Sequence, residues 1–310
     1  MRGFIRLARG AAGAALSIGP GYESQPLGPN ARYDQVAGYY LDLRRKAAAK
    51  LRPRVTGRGE LHMPGPTVGP QRALGLHEWL LGGQNEALTP FLNEIRVLRA
   101  RANEHDNMLL WPHNVSVPKY RQIGPFYSCM TQGQAASAFV RAYIATADDA
   151  WADAALGALR PLTGFTSGLV TTTEAGPVLE EAPTDPPSHI LNGWVFALWG
   201  LWDVALALHE PDIRSLFDES AMTLARMLSE YDVGWWTRYS LFPPIAPDLS
   251  KPFYHTLHVA QMTPLFYMTQ ESVFADTAAR WNAYDRAVNR VRAVAAKAPA
   301  VVREAWFRRQ

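Results

Sequence analysis

Two adjacent carboxylates, Glu180 and Glu181, open the stretch LEEAPTDPPSHILNGWVFALWGLWD at residues 179–203. Pro183, Pro186 and Pro187 stiffen the turn that follows, and Trp194, Phe196, Trp199 and Trp202 then fall on a helix. Acids delivered by a stiff turn to an aromatic-rich helix start suit a carbohydrate site, where flat rings bind sugars and carboxyls move protons. The plainer alternative is a core helix with a solvated acid pair in front of it. Two further loops add to the picture. Residues 111–131 bring Lys119, Arg121 and Tyr127, with Gln132 and Gln134 straddling Gly133 at the next helix entry. Lys119 as a point charge and Arg121 as a fork can hold a carboxylate or sulfate, or simply stand as surface charges. Residues 232–255 bring Trp235, Trp236, Arg238, Tyr239 and Tyr254, with His255 and His258 just after. Tyrosines, a carboxylate and arginines at one mouth suggest proton transfer beside an anionic sugar.

Other chemistries have less support. His255 and His258 are spaced for one helix face, but no third ligand has metal-site spacing, so no metal is expected. No nucleophile elbow supports a Ser-His-Asp triad. No glycine-rich nucleotide fingerprint is present, and no cofactor is expected. A glycoside hydrolase would need Glu181 paired with Glu174 or Asp185 across roughly 5–9.5 Å.

The elements that must position these groups repeat along the chain. Residues 71–81 and 88–102, 133–146 and 150–159, 192–208 and 213–230, and 256–268 and 273–294 read as four helix pairs with short links. Such links allow only antiparallel neighbours. The first helix of each pair is the more apolar, as in GWVFALWGLWDVALAL, and the second carries charge on one face, as in ESAMTLARMLSEYD. Apolar-all-round helices lie inside and amphipathic ones outside. The expected fold is mainly α, an (α/α) toroid or incomplete barrel of repeated antiparallel helix pairs, with a short extended N-terminal arm. Residues 1–70 are read as arm and loops packing on the barrel, and residues 71–310 as the barrel. Within the arm, 33–46 suits a short strand or extended segment and 55–70 a glycine- and proline-rich loop. The three long loops at 111–131, 164–190 and 232–255 would gather at one end, where sites on rigid scaffolds usually sit.

Composition narrows the class. The 310 residues are 48% hydrophobic and 19% charged, which describes a folded globular chain rather than a disordered one. The net charge of +3 suits an anionic ligand, while the lack of a long basic run argues against nucleic acid. Cys129 is the only cysteine, which removes intrachain disulfides and thiolate clusters. No run of about 18 consecutive apolar residues suggests a membrane span. Arg2, Arg6 and Arg9 interrupt a short apolar lead-in, a poor signal peptide that slightly favours the cytoplasm.

The segments MTQGQAASAFVRAYIAT, EEAPTDPPSHILNGWVFALWGLWD and YHTLHVAQM together resemble the C-terminal catalytic region of the D-glucuronyl C5-epimerases, over about residues 111–281. The resemblance implies an (α/α) barrel, no cofactor and an anionic polysaccharide substrate of the heparosan kind. It implies conversion of D-glucuronate to L-iduronate residues by removal of the C5 proton and reprotonation on the opposite face. Glu181 stands at the family's acidic position, Tyr239 and Tyr254 at two of its tyrosines. Lys119, Arg121, Tyr127, Gln132, Gln134, Asn192, Trp236, Arg238, His255 and His258 are the expected substrate contacts. Two departures matter: Ala182 stands where the family has a catalytic tyrosine, and Phe242 where it has an arginine. An inactivated form, a polysaccharide lyase using the same proton abstraction, and a glycan-binding protein without turnover are the alternatives. The resemblance also implies dimerisation, with residues 294–310, including Trp306 and Phe307, packing on a neighbour or on the barrel.

Overall fold

The computed structural model describes residues 25–48, 54–55, 61–62, 65–163, 168–245 and 247–307; the side chains of residues 298–310 lie outside the described set, as do residues 1–24 with the expected lead-in. Helices dominate. A short helix α1 (Arg44–Ala48) is followed by the pairs α2 (Val68–Leu81) and α3 (Leu88–Ala100), α4 (Cys129–Thr146) and α5 (Asp149–Thr163), α6 (Leu191–Leu208) and α7 (Pro211–Met227), and α8 (Pro252–Thr269) and α9 (Ser272–Tyr284). A last helix, α10 (Ala287–Phe307), ends the described chain.

The pairs repeat in their turns as well as in their pattern. The helices α4, α6 and α8 each stop at a residue in the left-handed region, Ala147 (φ 54°), His209 (φ 56°) and Gln270 (φ 61°). That conformation reverses the chain within a residue or two, and α5, α7 and α9 start at once. The first helices pack on one another in chain order, α2 on α4, α4 on α6 and α6 on α8. Each second helix lies on its own partner, and α3, α5 and α7 also touch the first helix of the next pair. Burial follows the inner and outer assignment: α6 is buried along nearly its whole length, whereas α9 buries only Phe274, Thr277 and Trp281. Among the described residues α6 alone is long and apolar enough to cross a membrane; 78% of it is buried inside the protein.

Glycine brings two inner helices into backbone contact. A Cβ on Gly133 would lie 2.6 Å from the Ala197 Cα, and one on Gly200 would lie 2.4 Å from the Gly133 backbone. The α4 and α6 backbones therefore touch, which fixes the relative height of the two helix starts that flank the site.

The arm is sewn into the same core. Tyr39, Tyr40, Leu41 and Leu43 are buried there. The Tyr40 hydroxyl donates to Asp203 Oδ1 (2.7 Å), and Arg141 pairs with Asp203 (2.7 Å) while donating to the Ala37 and Gly38 carbonyls. The arm is extended with only isolated bridges, at 27 with 41 and 31 with 38, and ends in α1.

Several local expectations change. The expected 55–70 loop contains β2 (Leu61–His62), paired antiparallel with β1 (Arg54–Val55). Two of the long loops carry a hairpin, β5 (Val170–Thr173) with β6 (Gly176–Leu179) and β7 (Arg238–Ser240) with β8 (Asp248–Leu249), and a further hairpin, β3 (Asn103–His105) with β4 (Met108–Leu110), precedes the first long loop. The helix expected at 213–230 tightens into a 3-10 turn at Leu228–Tyr231. The single helix expected over 273–294 is two, α9 and α10, because Asp285 leaves helical geometry (ψ 63°) and its carboxylate instead pairs with Arg290 (2.5 Å).

Candidate active site

The three long loops meet. Cys129 N–H donates to the Glu180 carbonyl (3.0 Å), joining the first loop to the second, and Leu241 N–H donates to the Ser188 carbonyl (3.1 Å), joining the third to the second. Tyr120 of the first loop stands edge-on to Phe242 of the third (5.4 Å between centroids), and Ala182, Ile190, Tyr120 and Phe242 form one small apolar cluster against which Tyr239 packs.

The adjacent glutamates have opposite fates. Hairpin β5–β6 carries Glu180 into the interior, where it is fully buried. Its carboxylate takes the Thr171 hydroxyl (2.9 Å), the Ser188 hydroxyl (3.2 Å), the His189 N–H (3.0 Å) and the His189 ring Nδ1 (2.6 Å). Glu180 is thus a bracket that holds the proline-rich turn. Glu181 points to the first turn of α6 and keeps some exposure. A Cβ on Gly193 would sit 2.3 Å from Glu181 Oε2, so only glycine leaves room for this side chain. Asn192 Nδ2 donates to Glu181 Oε2 (3.1 Å), and the Gly193 N–H also donates to the carboxylate. Burial nevertheless wins over these two bonds and pushes the Glu181 pKa up to about 7. A carboxyl that titrates near neutrality can take and return protons there.

Two tyrosines face this carboxyl's side of the site. The Tyr239 and Tyr254 rings meet edge to face, 4.6 Å between centroids. Burial and then the Glu181 charge hold the Tyr239 phenol well above its ordinary value, so it stays protonated and serves as a donor. Lys119 Nζ stands 5.1 Å from the Tyr239 centroid and 4.8 Å from that of Tyr120.

Beneath them lies a buried ionic cluster. Asp248, 2% exposed, accepts from Lys119 Nζ (2.8 and 2.7 Å to its two oxygens), the Tyr120 hydroxyl (2.9 Å), the Ser240 hydroxyl (2.7 Å) and Lys297 Nζ (3.3 Å). Burial opposes its ionisation, but the two ammonium groups outweigh burial and hold the carboxyl below its ordinary value. Lys297 Nζ also donates to the Leu249 carbonyl.

The remaining expected contacts divide. Gln132 is fully buried and donates to the Leu109 and Ala158 carbonyls (2.7 Å each), and buried Gln134 accepts from Gln71 (3.3 Å). Trp236 is buried, stacks on His255 (3.7 Å) and donates to the Ser250 carbonyl (2.9 Å). His255 joins Thr237 Oγ1 (2.9 Å) to the Trp281 carbonyl (3.1 Å). Trp236 and His255 have their polar atoms bonded within the fold, whereas Gln132 Oε1 and Gln134 Nε2 are buried without a partner. His258 is buried with Nε2 unpartnered, its ring 6.4 Å from that of Tyr239. Burial pushes both histidines down, His255 to about 4, so they are neutral. Among the described residues no group of three or more His, Cys, Asp or Glu converges as a metal would require. Arg238 donates to the Glu230 carbonyl (3.2 Å) and leaves Nε unpartnered; Arg121 is exposed with φ 56°; Tyr127 packs at the core margin. Glu174 sits exposed at the β5–β6 turn and Asp185 is exposed, so neither forms a buried partner for Glu181.

The family model for the D-glucuronyl C5-epimerase C-terminus matches residues 105–283, more than half of the chain. The chain belongs to this family. A Caenorhabditis elegans protein named D-glucuronyl C5-epimerase is 30% identical over 176 residues, which are 51% of this chain and 29% of that one. The chain therefore spans under a third of that relative's length. The solved structure of cellobiose 2-epimerase from Bacillus thermoamylovorans B4167 superposes over 73% of this chain and 61% of its own, with a TM-score of 0.54 and 8% identity, a likeness of fold alone. Inside the C5-epimerase region lie Glu181, Ala182, Tyr239, Tyr254 and Asp248; Lys297 lies beyond it.

The meeting of Asp248 and Lys297 was not legible in the sequence. Asp248 sits in a proline-rich loop and Lys297 in an alanine-rich stretch, VAAKAPA, and nothing in either neighbourhood signals that they meet. Gly193 carried a faint signal, as a helix-breaking residue directly after Asn192 at a helix start.

Proposed function

We propose that this chain is a uronic-acid C5-epimerase that converts D-glucuronate to L-iduronate residues within an anionic polysaccharide. The observation that carries the reading is Glu181: a carboxyl raised to about 7 by burial, at a helix start, beside a pair of touching tyrosines. C5 of a hexuronate lies next to the carboxylate, and removing its proton gives an enolate that must be stabilised by donors and cations. Glu181 takes the proton from one face, and its conjugate acid is stable near neutral pH. Tyr254 returns a proton to the other face, and Tyr239, held as a neutral phenol, donates a hydrogen bond to the developing charge. Inversion needs two such groups on opposite faces, which is why one acid is not enough.

The four helix pairs fit an incomplete (α/α) toroid, with the site at the loop end of the inner helices. The homodimer implied by the family belongs to the same proposal. Ala182 leaves the phenol roles to Tyr239 and Tyr254. The test is release of label from C5-tritiated heparosan into water. Label release by the natural protein, lost at least a hundredfold in Glu181→Gln, supports the reading. Unsaturated chain ends absorbing in the ultraviolet would replace it with a lyase. Binding with no release would mark an inactivated, glycan-binding form.

A further inference from the structure

The cluster around Asp248 holds two cations against one carboxylate. Lys119 and Lys297 both contact this one carboxylate, and Lys251 adds to the positive field at Lys297. Asp248 has no capacity left, since Tyr120 and Ser240 also donate to it. Glu181 also acts on this corner and is felt at Tyr120 and Tyr239. Counted against Asp248 alone, the two ammonium groups leave one positive charge over, beside Tyr120 and Tyr239.

The second cation is held at a cost. Lys297 is 15% exposed at its side chain, and burial lowers its pKa to about 8. The helix that carries it is anchored for the purpose: Ala293 is buried against Trp236 and Leu249, and the Arg292 guanidinium lies 3.8 Å over the Trp235 ring. Lys119, 22% exposed, sits where a ligand can reach it, with its ammonium astride Asp248 and near the faces of Tyr120 and Tyr239. An ammonium carries three donors, and Asp248 takes two of the directions available to Lys119.

We infer that Lys119 and Lys297, joined through Asp248, form the carboxylate-binding corner of the site, and that α10, outside the family-matched region, completes it by supplying Lys297. Lys119 makes the contact with the anion, and Lys297 is a positioning residue that keeps Asp248 from cancelling the Lys119 charge. The corner takes a monoanionic carboxylate on a sugar ring, and naming that ring a hexuronate rests on the epimerase reading. It also answers the absence of an arginine at Phe242, which is buried in the apolar cluster alongside Tyr120.

The probe pair is a heparosan octasaccharide and its carboxyl-reduced counterpart, which differ only in the acid groups, titrated against the full chain at pH 7. The natural protein is expected to bind the acid form at least tenfold more tightly. Lys119→Gln and Lys297→Gln should each remove most of that preference, with affinity for the reduced form unchanged within twofold and melting temperatures close to the natural protein's. Lys297→Arg should keep the preference and serves as the conservative control. A natural protein with no preference for the acid form, or glutamine variants that retain it in full, would overturn the inference. Label release from C5 is read in parallel. Acid preference lost in both glutamine variants with no release in any protein would sink the epimerase reading and leave the carboxylate corner standing.

Discussion

Two buried aspartates in this molecule are surrounded by the same groups and do different work. Asp203 receives a tyrosine hydroxyl, from Tyr40, and a cation, Arg141. Asp248 receives a tyrosine hydroxyl, from Tyr120, and two cations, Lys119 and Lys297. The first cluster is sealed, with its ion-pair side chains 1% and 0% exposed, and its charges cancel. Arg141 also binds three backbone carbonyls, so its fork is spent on pinning the arm. The second keeps partial exposure at Lys119, 22% at its side chain, and sets two cations against one carboxylate. A balanced, closed pair specifies where the chain goes, whereas an unbalanced, accessible one keeps a field available for a ligand. A guanidinium suits the first task and an ammonium, as a mobile point charge, suits the second.

Substitutions separate the two. Arg141→Leu leaves the buried Asp203 charge with no cation to answer it, so urea unfolding should show a loss of about 3–5 kcal/mol. An unfolding midpoint near the natural one would break the contrast from its structural side. Glu181→Gln should act in the opposite direction. The folded-state pKa is raised, so the folded protein keeps this proton where the unfolded chain has released it, and ionisation costs stability. The penalty is absent below pH 4.5 and complete above about pH 7. At pH 8 the glutamine variant should therefore be more stable by up to roughly 3 kcal/mol, and equally stable at pH 4. It should also be inactive, whereas activity of the natural protein should rise with pH through about 7 as Glu181 becomes a base.

Smaller effects sharpen the picture of the loop end. Ala182 is 4% exposed in a cluster with Tyr120, Ile190 and Phe242. Ala182→Tyr must force these apart and should cost about 1–3 kcal/mol by denaturant titration. Turnover that rises despite this loss would make position 182 catalytic in the family's manner; unchanged turnover would deny it that role. Lys297→Gln should change stability by no more than about 1 kcal/mol, since it removes a desolvated cation along with one side of an ion pair. A much larger loss would make the Asp248 cluster structural, like that of Asp203.

The parts of this protein that were legible in the sequence are those governed by periodicity. Helix pairs show because apolar residues recur every three to four positions, and their inner or outer place shows because one member carries charge on a single face. The hairpin at 170–179 was hidden for a local reason: its strands are four residues each and their turn, Thr173 to Gly176, interrupts too short an alternation. The break before α10 was hidden because Asp285 and Arg286 are ordinary helix residues, and the stop depends on an ion pair with Arg290.

The site was legible by motif and not by geometry. Glu181, Tyr239 and Tyr254 stand out as types, but adjacent Glu180 is the same type and became a bracket, its carboxylate taken up by Thr171, Ser188 and His189. Gln132, Gln134, Trp236 and His255, read as contacts, each hold a bond within the fold, since polar side chains at helix starts serve the fold and a ligand equally well in sequence. Lys297 lies 49 residues from Asp248, a pairing that only the folded chain produces.

The most direct test of the central reading is solvent deuterium incorporation. The natural protein is incubated with heparosan in D₂O, and C5 labelling and the ratio of glucuronate to iduronate are followed by NMR. The epimerase reading predicts deuterium at C5 together with inverted residues, and neither with Glu181→Gln. Tight binding of the polysaccharide with no deuterium at C5 would contradict it.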